Sequence, residues 1–112
     1  MGYTVQLMNT IKSTDVFDAW IGGLKDQVAR AKILGRINRA RLGNFGDTKY
    51  FDGIGEMRVD FGPGYRLYFA KEGNTVYVLL CGGDKSTQRK DIKNAKELLS
   101  TLQAAGQQGS TR

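Results

Sequence analysis

Histidine is missing from all 112 positions, and cysteine occurs once, at Cys81. Without an imidazole the chain has no ordinary proton shuttle near neutral pH, and no His-containing zinc site can be built. One cysteine excludes an internal disulfide and the cysteine-rich metal sites. Neither a metal nor a cofactor is therefore expected. Cys81 closes the apolar run Val76 to Cys81, where a buried, inert thiol fits better than a nucleophile. No apolar run approaches membrane-spanning length and no secretory signal pattern opens the chain, so a cytoplasmic protein without a membrane partner is expected. Internal repeats and low-complexity segments are lacking too.

What is present describes one folded domain. Hydrophobic residues make up 40% and charged residues 25%, which is ordinary for a globular protein. The length supports a single core, placed at 1–105, with a polar tail at 106–112. The formal net charge of +6 favours polyanionic partners but does not choose among nucleic acid, an acidic protein and a charged membrane.

Hydrophobic periodicity gives the element order. Tyr3 to Met8 reads as a first strand, broken by Asn9 to Ser13. Ser13, Thr14 and Asp15 start a short helix carrying Val16, Trp20 and Leu24, which Gly22-Gly23 ends. A second helix spans about Lys25 to Leu42 and stops at Gly43. Lys25, Lys32, Arg36 and Arg39 share one side of it, with Ile33, Leu34 and Ile37 on the other. Between Lys25 and Lys49 seven basic residues face only Asp26 and Asp47, a net of +5. That side suits either solvent or a phosphate-bearing partner.

A turn-rich stretch follows, in which Lys49 to Phe51 can pair briefly. Strands are predicted at Glu56 to Phe61, Tyr65 to Lys71 and Thr75 to Cys81, joined by Gly62-Pro63-Gly64 and Glu72-Gly73-Asn74. A third helix runs from Ser86 to Ala104 on an apolar side of Ile92, Ala95, Leu99 and Leu102. The fold class is thus α+β: helices on a twisted, mostly antiparallel sheet in β-α-α-β-β-β-α order.

Alternation puts Met57, Val59, Phe61, Tyr65, Leu67 and Phe69 on the core face. Glu56, Arg58, Asp60, Arg66 and Tyr68 take the other face. A three-residue turn pairing Phe61 with Tyr65 sets Asp60 opposite Arg66 and Arg58 opposite Tyr68. This patch reads either as a polar outer face laced by ion pairs or as a cation cluster. Gly82-Gly83 is then expected to make a sharp turn into a helix opened by Lys85, Ser86, Thr87 and Gln88. The helix start can receive a capping side chain or an anion.

Three segments together resemble the RelE/HigB-type toxins of bacterial type II toxin–antitoxin modules, in the branch called addiction module killer proteins. They are Gly-Glu-Met-Arg-Val at 55–59, Gly-Pro-Gly-Tyr-Arg-Leu-Tyr-Phe at 62–69 and Leu-Leu-Cys-Gly-Gly-Asp-Lys-Ser-Thr-Gln-Arg-Lys-Asp-Ile at 79–92. The resemblance covers about residues 3–102. It implies a microbial-ribonuclease-like fold and an endoribonuclease that cuts mRNA on the ribosome. By the same resemblance, Arg66 contacts the scissile phosphate, Arg58 matches a basic residue on the preceding strand, and Lys85 falls at or beside the basic residue after the last strand. Glu56 stands where a lysine is usual, and Asp91 stands near the place of a catalytic tyrosine. Either carboxylate could take the proton of the RNA 2′-hydroxyl in a metal-free attack. The expected RNA-binding residues are Lys49, Tyr68, Gln88, Lys25, Lys32, Arg36 and Arg39. Tyr68 would stack on a base, unless it is a structural aromatic. The implied partners are the ribosome, mRNA and a helix-turn-helix antitoxin. Two alternatives stand beside this reading: a gyrase-directed ParE-like toxin and a non-catalytic basic binding module.

Overall fold

The structure, a computed structural model, describes residues 8–110, with side chains through residue 106. Among the described residues five strands form one sheet in the order β1-β5-β4-β3-β2. They are β1 (Thr10–Ser13), β2 (Thr48–Phe51), β3 (Ile54–Val59), β4 (Tyr65–Lys71) and β5 (Val76–Asp84). Helices α1 (Asp15–Gly22) and α2 (Gln27–Arg41) follow β1, and α3 (Gln88–Ser110) follows β5 through a 3-10 turn, Lys85–Thr87. The α+β class and the antiparallel core of the sheet match the sequence reading; β1 alone is parallel to its neighbour β5.

The strand expected over Tyr3 to Met8 lies outside the described residues, apart from Met8. Its expected break, Asn9 to Ser13, instead supplies β1. Only Ile11 in this strand is apolar, so local propensity gave little sign of it. The exposed edge of β5 decides the matter by pairing Ile11 with Tyr77 and Ser13 with Leu79. The next residue, Thr14, caps α1: its hydroxyl accepts from Phe17 N at 3.1 Å and donates to Leu80 O at 2.6 Å. Asp26 caps α2 through Val28 N and Ala29 N. Gly43, with φ of 97°, takes the left-handed backbone that follows α2.

Two cores lie on opposite faces of the sheet. Helices α1 and α2 bury Phe17, Ala29, Ile33 and Ile37 against Met57, Val59, Leu67 and Phe69. Leu34, expected among them, is 51% exposed, because it lies roughly a quarter turn from the stripe of Ala29, Ile33, Ile37 and Ala40. The other face was expected to be a polar exterior. Instead α3 covers part of it and completes a second core of Ile54, Tyr68, Ala70, Val78, Leu80, Cys81 and Ala95. Leu80 and Cys81 both join it because a bulge pairs Tyr68 with Cys81 but Phe69 with Leu79, which interrupts the alternation.

Three further expectations change. The β3–β4 loop holds five residues, not three: Val59 pairs with Tyr65, so Arg58 stands opposite Arg66 and Glu56 opposite Tyr68. Bonds from Phe61 N to Val59 O and from Gly64 N to Phe61 O close the loop inside the presumed turn. Gly82 and Gly83 form no sharp turn but continue β5 to Asp84. Finally, the helical backbone runs through Ser110, past the Ala104 limit and into the expected tail.

Candidate functional site

The end of the β3–β4 hairpin meets the start of the 3-10 turn in a cleft of about 360 Å³. Its lining includes Asp47, Arg58, Asp60, Tyr65, Arg66 and Lys85. Register explains the convergence. Arg58 and Arg66 are cross-strand partners, Arg66 pairs in turn with Gly83, and Tyr65 with Asp84. Lys85 follows at once, and a methyl group built on Gly64 would stand 3.6 Å from Lys85 Cβ. The three cations that the sequence singled out therefore share one cleft.

Their surroundings differ. Arg58 donates to Asp47 Oδ1 at 3.0 Å, and that bond raises its pKa, with the Asp47 charge adding to the effect. Asp47 sits in the loop after α2, and its role had no local signature in the sequence. Arg66 and Lys85 are in no ion pair with a described residue. The Nε atoms of both Arg58 and Arg66 are buried without a hydrogen-bond partner among the described residues. Like charges placed directly across a strand pair repel, so this end of the sheet favours an anion between or above the two guanidiniums.

The glycines of β5 serve close approach rather than a turn. A methyl on Gly83 would come within 1.8 Å of Asp91 Oδ2, and one on Gly82 within 2.3 Å of the Trp20 ring. Asp91 thus lies flat on β5 at the residue paired with Arg66, and its carboxylate accepts from the Thr87 hydroxyl. It is half-buried. The 3-10 turn is capped from within: Asp84 accepts from Ser86 N at 2.8 Å. Hydrogen bonding from the Ser86 hydroxyl is the chief cause of the lowered Asp84 pKa. A side chain thus takes the position proposed for an anion at the helix start, and the cationic cleft beside it is the more open site.

Glu56 and Tyr68 differ most from their expected roles. Glu56 is 1% exposed and Tyr68 is wholly buried. The Tyr68 hydroxyl donates to Glu56 Oε2 at 3.0 Å, and Gln88 Nε2 donates to the same oxygen at 2.8 Å. Burial first, then the Glu56 charge, pushes the Tyr68 phenol pKa strongly upward. Because α3 lies over these side chains, Tyr68 offers no ring to a base, Gln88 is spent on Glu56, and Glu56 has no open path to a 2′-hydroxyl. The three form a polar strut between β3, β4 and α3. Cys81 is buried as expected, and burial pushes its thiol up to about 12.

The remaining basic residues spread out. Lys32, Arg36 and Arg39 line a shallow groove of about 390 Å³ that also touches Asp60 and Phe61. Through Asp60 this groove adjoins the cleft. Lys32 Nζ lies 5.1 Å from the centre of the Phe61 ring. Arg36 points its guanidinium at the carbonyls of Arg58, Phe45 and Asp47, tying the loop after α2 to β3; burial is the first cause of its lowered pKa. Its positive charge is accordingly structural as much as it is exposed. Lys49 is exposed on β2 opposite Glu56. Lys25 is exposed on the α1–α2 connection and lines neither hollow. Among the described residues no group of three or more Cys, Asp or Glu side chains is arranged to hold a metal ion, and no helix is long and apolar enough to cross a membrane.

Comparison with known proteins adds one relationship. No protein-family model matches the chain. No solved structure matches it. An uncharacterized protein of Haemophilus influenzae is 54% identical over 93 residues, which span 82% of this chain and 94% of that protein. Identity at that level along nearly the whole relative shows common descent and a common fold, and the chain belongs to the same family as this Haemophilus influenzae protein.

Proposed function

We propose that the protein is a translation-inhibiting endoribonuclease, the toxin of a type II toxin–antitoxin module, that cleaves mRNA on the ribosome. One observation carries this reading: Arg58, Arg66 and Lys85 line the same cleft, and Arg66 and Lys85 are in no ion pair with a described residue. An RNA phosphodiester fits such a cluster because attack by the 2′-oxygen builds negative charge on the non-bridging oxygens. Fixed cations aimed at those atoms are the largest contribution a protein makes to such a step.

The step itself balances without a co-reactant. The 2′-oxygen forms a bond to phosphorus, the bond from phosphorus to the 5′-oxygen breaks, and a 2′,3′-cyclic phosphate and a 5′-hydroxyl result. Arg66 and Arg58 hold the equatorial oxygens. Of the two carboxylates suggested by the sequence, Asp91 is the half-exposed one, lying against the Gly83 that pairs with Arg66, and it takes the 2′-hydroxyl proton. The Lys85 ammonium gives a proton to the departing 5′-oxygen. The α2 groove of Lys32 and Arg39 binds ribosomal RNA, so activity falls steeply with added salt. A helix-turn-helix antitoxin would silence the protein by covering this surface, and the cytoplasm is where all these partners meet.

Primer extension on mRNA in a translation extract tests the reading. Cuts confined to translated message, insensitive to chelators and ending in 5′-hydroxyls, support it. Intact message alongside gyrase trapped on DNA would replace it with the ParE-like alternative.

A further inference from the structure

Beyond the cleft, α3 carries basic residues with no evident structural purpose. Arg89, Lys90 and Lys93 are all exposed and in no ion pair with a described residue. Arg89 and Lys90 fall in the first turn of α3, where the helix dipole disfavours cations. Asp91 is the one acidic residue of that turn, and it is turned inward onto Gly83. Helix stability therefore does not account for these cations.

Their placement is regular. Lys85 lines the cleft, Arg89 and Lys93 follow at four-residue steps, and Lys96 comes three further on. At about 100° per residue Arg89, Lys93 and Lys96 fall within a sector of roughly 60°, and each four-residue step advances about 6 Å along the axis. Ala95 is buried on a different side of the same helix. The direction of this stripe is fixed by Lys96, whose Nζ lies 2.8 Å from Asp52 Oδ2 in the β2–β3 connection. The stripe thus faces the β2 edge, where Lys49 stands exposed on the strand position opposite Glu56.

We infer that the stripe of Lys85, Arg89 and Lys93 is a track along which a single RNA strand leaves the cleft, with Lys49 across from it and the Lys96–Asp52 pair marking its end. A row of cations continuing a phosphate site follows a flexible backbone without reading its sequence. This inference rests on the endonuclease reading and extends it from one phosphate to the nucleotides beside it.

Binding of uncleavable 2′-O-methyl RNA separates the two. Fluorescence anisotropy is measured with a trinucleotide and a longer oligonucleotide, for the wild type and for an R89E/K93E variant whose fold is checked by circular dichroism. The wild type is expected to bind the longer strand more tightly. The variant is expected to lose that advantage, with the slope of log affinity against log salt smaller by about one to two, while trinucleotide binding stays within about twofold because its contacts lie in the cleft. A variant that matches the wild type on the longer strand, in a protein whose wild type still cuts message, overturns the track and leaves the cleft standing. A wild type that neither binds RNA nor cuts message overturns both. A stripe that binds an acidic polypeptide and no RNA also overturns the track.

Discussion

Arg58 and Arg66 stand directly opposite each other on β3 and β4, and the Nε atom of each is buried without a hydrogen-bond partner among the described residues. Two like charges in register at the mouth of a cleft invite a counter-charge, and Asp47 satisfies only Arg58. Of the two guanidiniums, Arg66 is the one in no ion pair with a described residue. Replacing Arg66 with alanine is expected to lower the cleavage rate about 10²- to 10³-fold, with little change in thermal midpoint. The Arg66→Lys variant should recover part of the rate, since it restores charge without the planar fork. Single-turnover kinetics on a stalled ribosomal complex would check both.

The close contact between Gly82 and Trp20 gives a prediction about stability. An added methyl would fall 2.3 Å from the indole ring, so Gly82→Ala must displace Trp20 or bend β5. A loss of about 1–3 kcal/mol is expected from such overpacking. Urea unfolding followed by tryptophan fluorescence reads it directly, because Trp20 is the one tryptophan in the chain. Wild-type stability and an unchanged emission maximum would show that the contact yields freely.

Tyr68, Glu56 and Gln88 supply a second stability prediction. Tyr68→Phe keeps the ring but removes one of two donors from a buried carboxylate. Leaving that acceptor short should cost about 1–3 kcal/mol. Because the phenol does not reach the cleft, kcat for message cleavage should stay within about threefold once the variant is folded. A rate loss as large as that of Arg66→Ala would place Tyr68 in the chemistry instead.

Alkaline pH should weaken the fold. Burial raises the Cys81 thiol from near 9 to about 12, and the Tyr68 phenol is raised as well. The native state therefore holds protons that the unfolded chain gives up, and their stabilising contribution is complete below about pH 9 and declines above it. Chemical denaturation at rising pH should show that decline. Iodoacetamide at pH 8 should label native Cys81 only as fast as the protein opens.

Much of this arrangement could be read from the residues themselves. Met57, Val59, Leu67 and Phe69 alternate cleanly, so β3 and β4 and their buried face were legible. Arg66 and Lys85 flank turns, and their convergence followed from a short hairpin leading toward a final strand. Other features depend on partners far along the chain. Glu56 and Tyr68 look like an outer face until Gln88 arrives from α3, 32 residues beyond Glu56. Thr10–Ser13 has one apolar residue and becomes a strand only because β5 has a free edge. Gly62-Pro63-Gly64 resembles a complete turn, but bonds of Phe61 and Gly64 widen the loop and slip the register. Gly82-Gly83 suggests a bend, although its glycines serve to admit Trp20 and Asp91. Except in that loop, whose bonds are local, a tertiary contact outweighs the local pattern.

A double-mutant cycle on the cleavage rate tests most directly whether these cations grip one phosphodiester. Arg66→Ala, Lys85→Ala and the combined variant would be compared with wild type in single-turnover reactions on ribosome-bound message. Contact with the same phosphoryl group predicts strong coupling, the second loss being much smaller in the background of the first. Rate losses that simply multiply, or a wild type that leaves message whole, would contradict it.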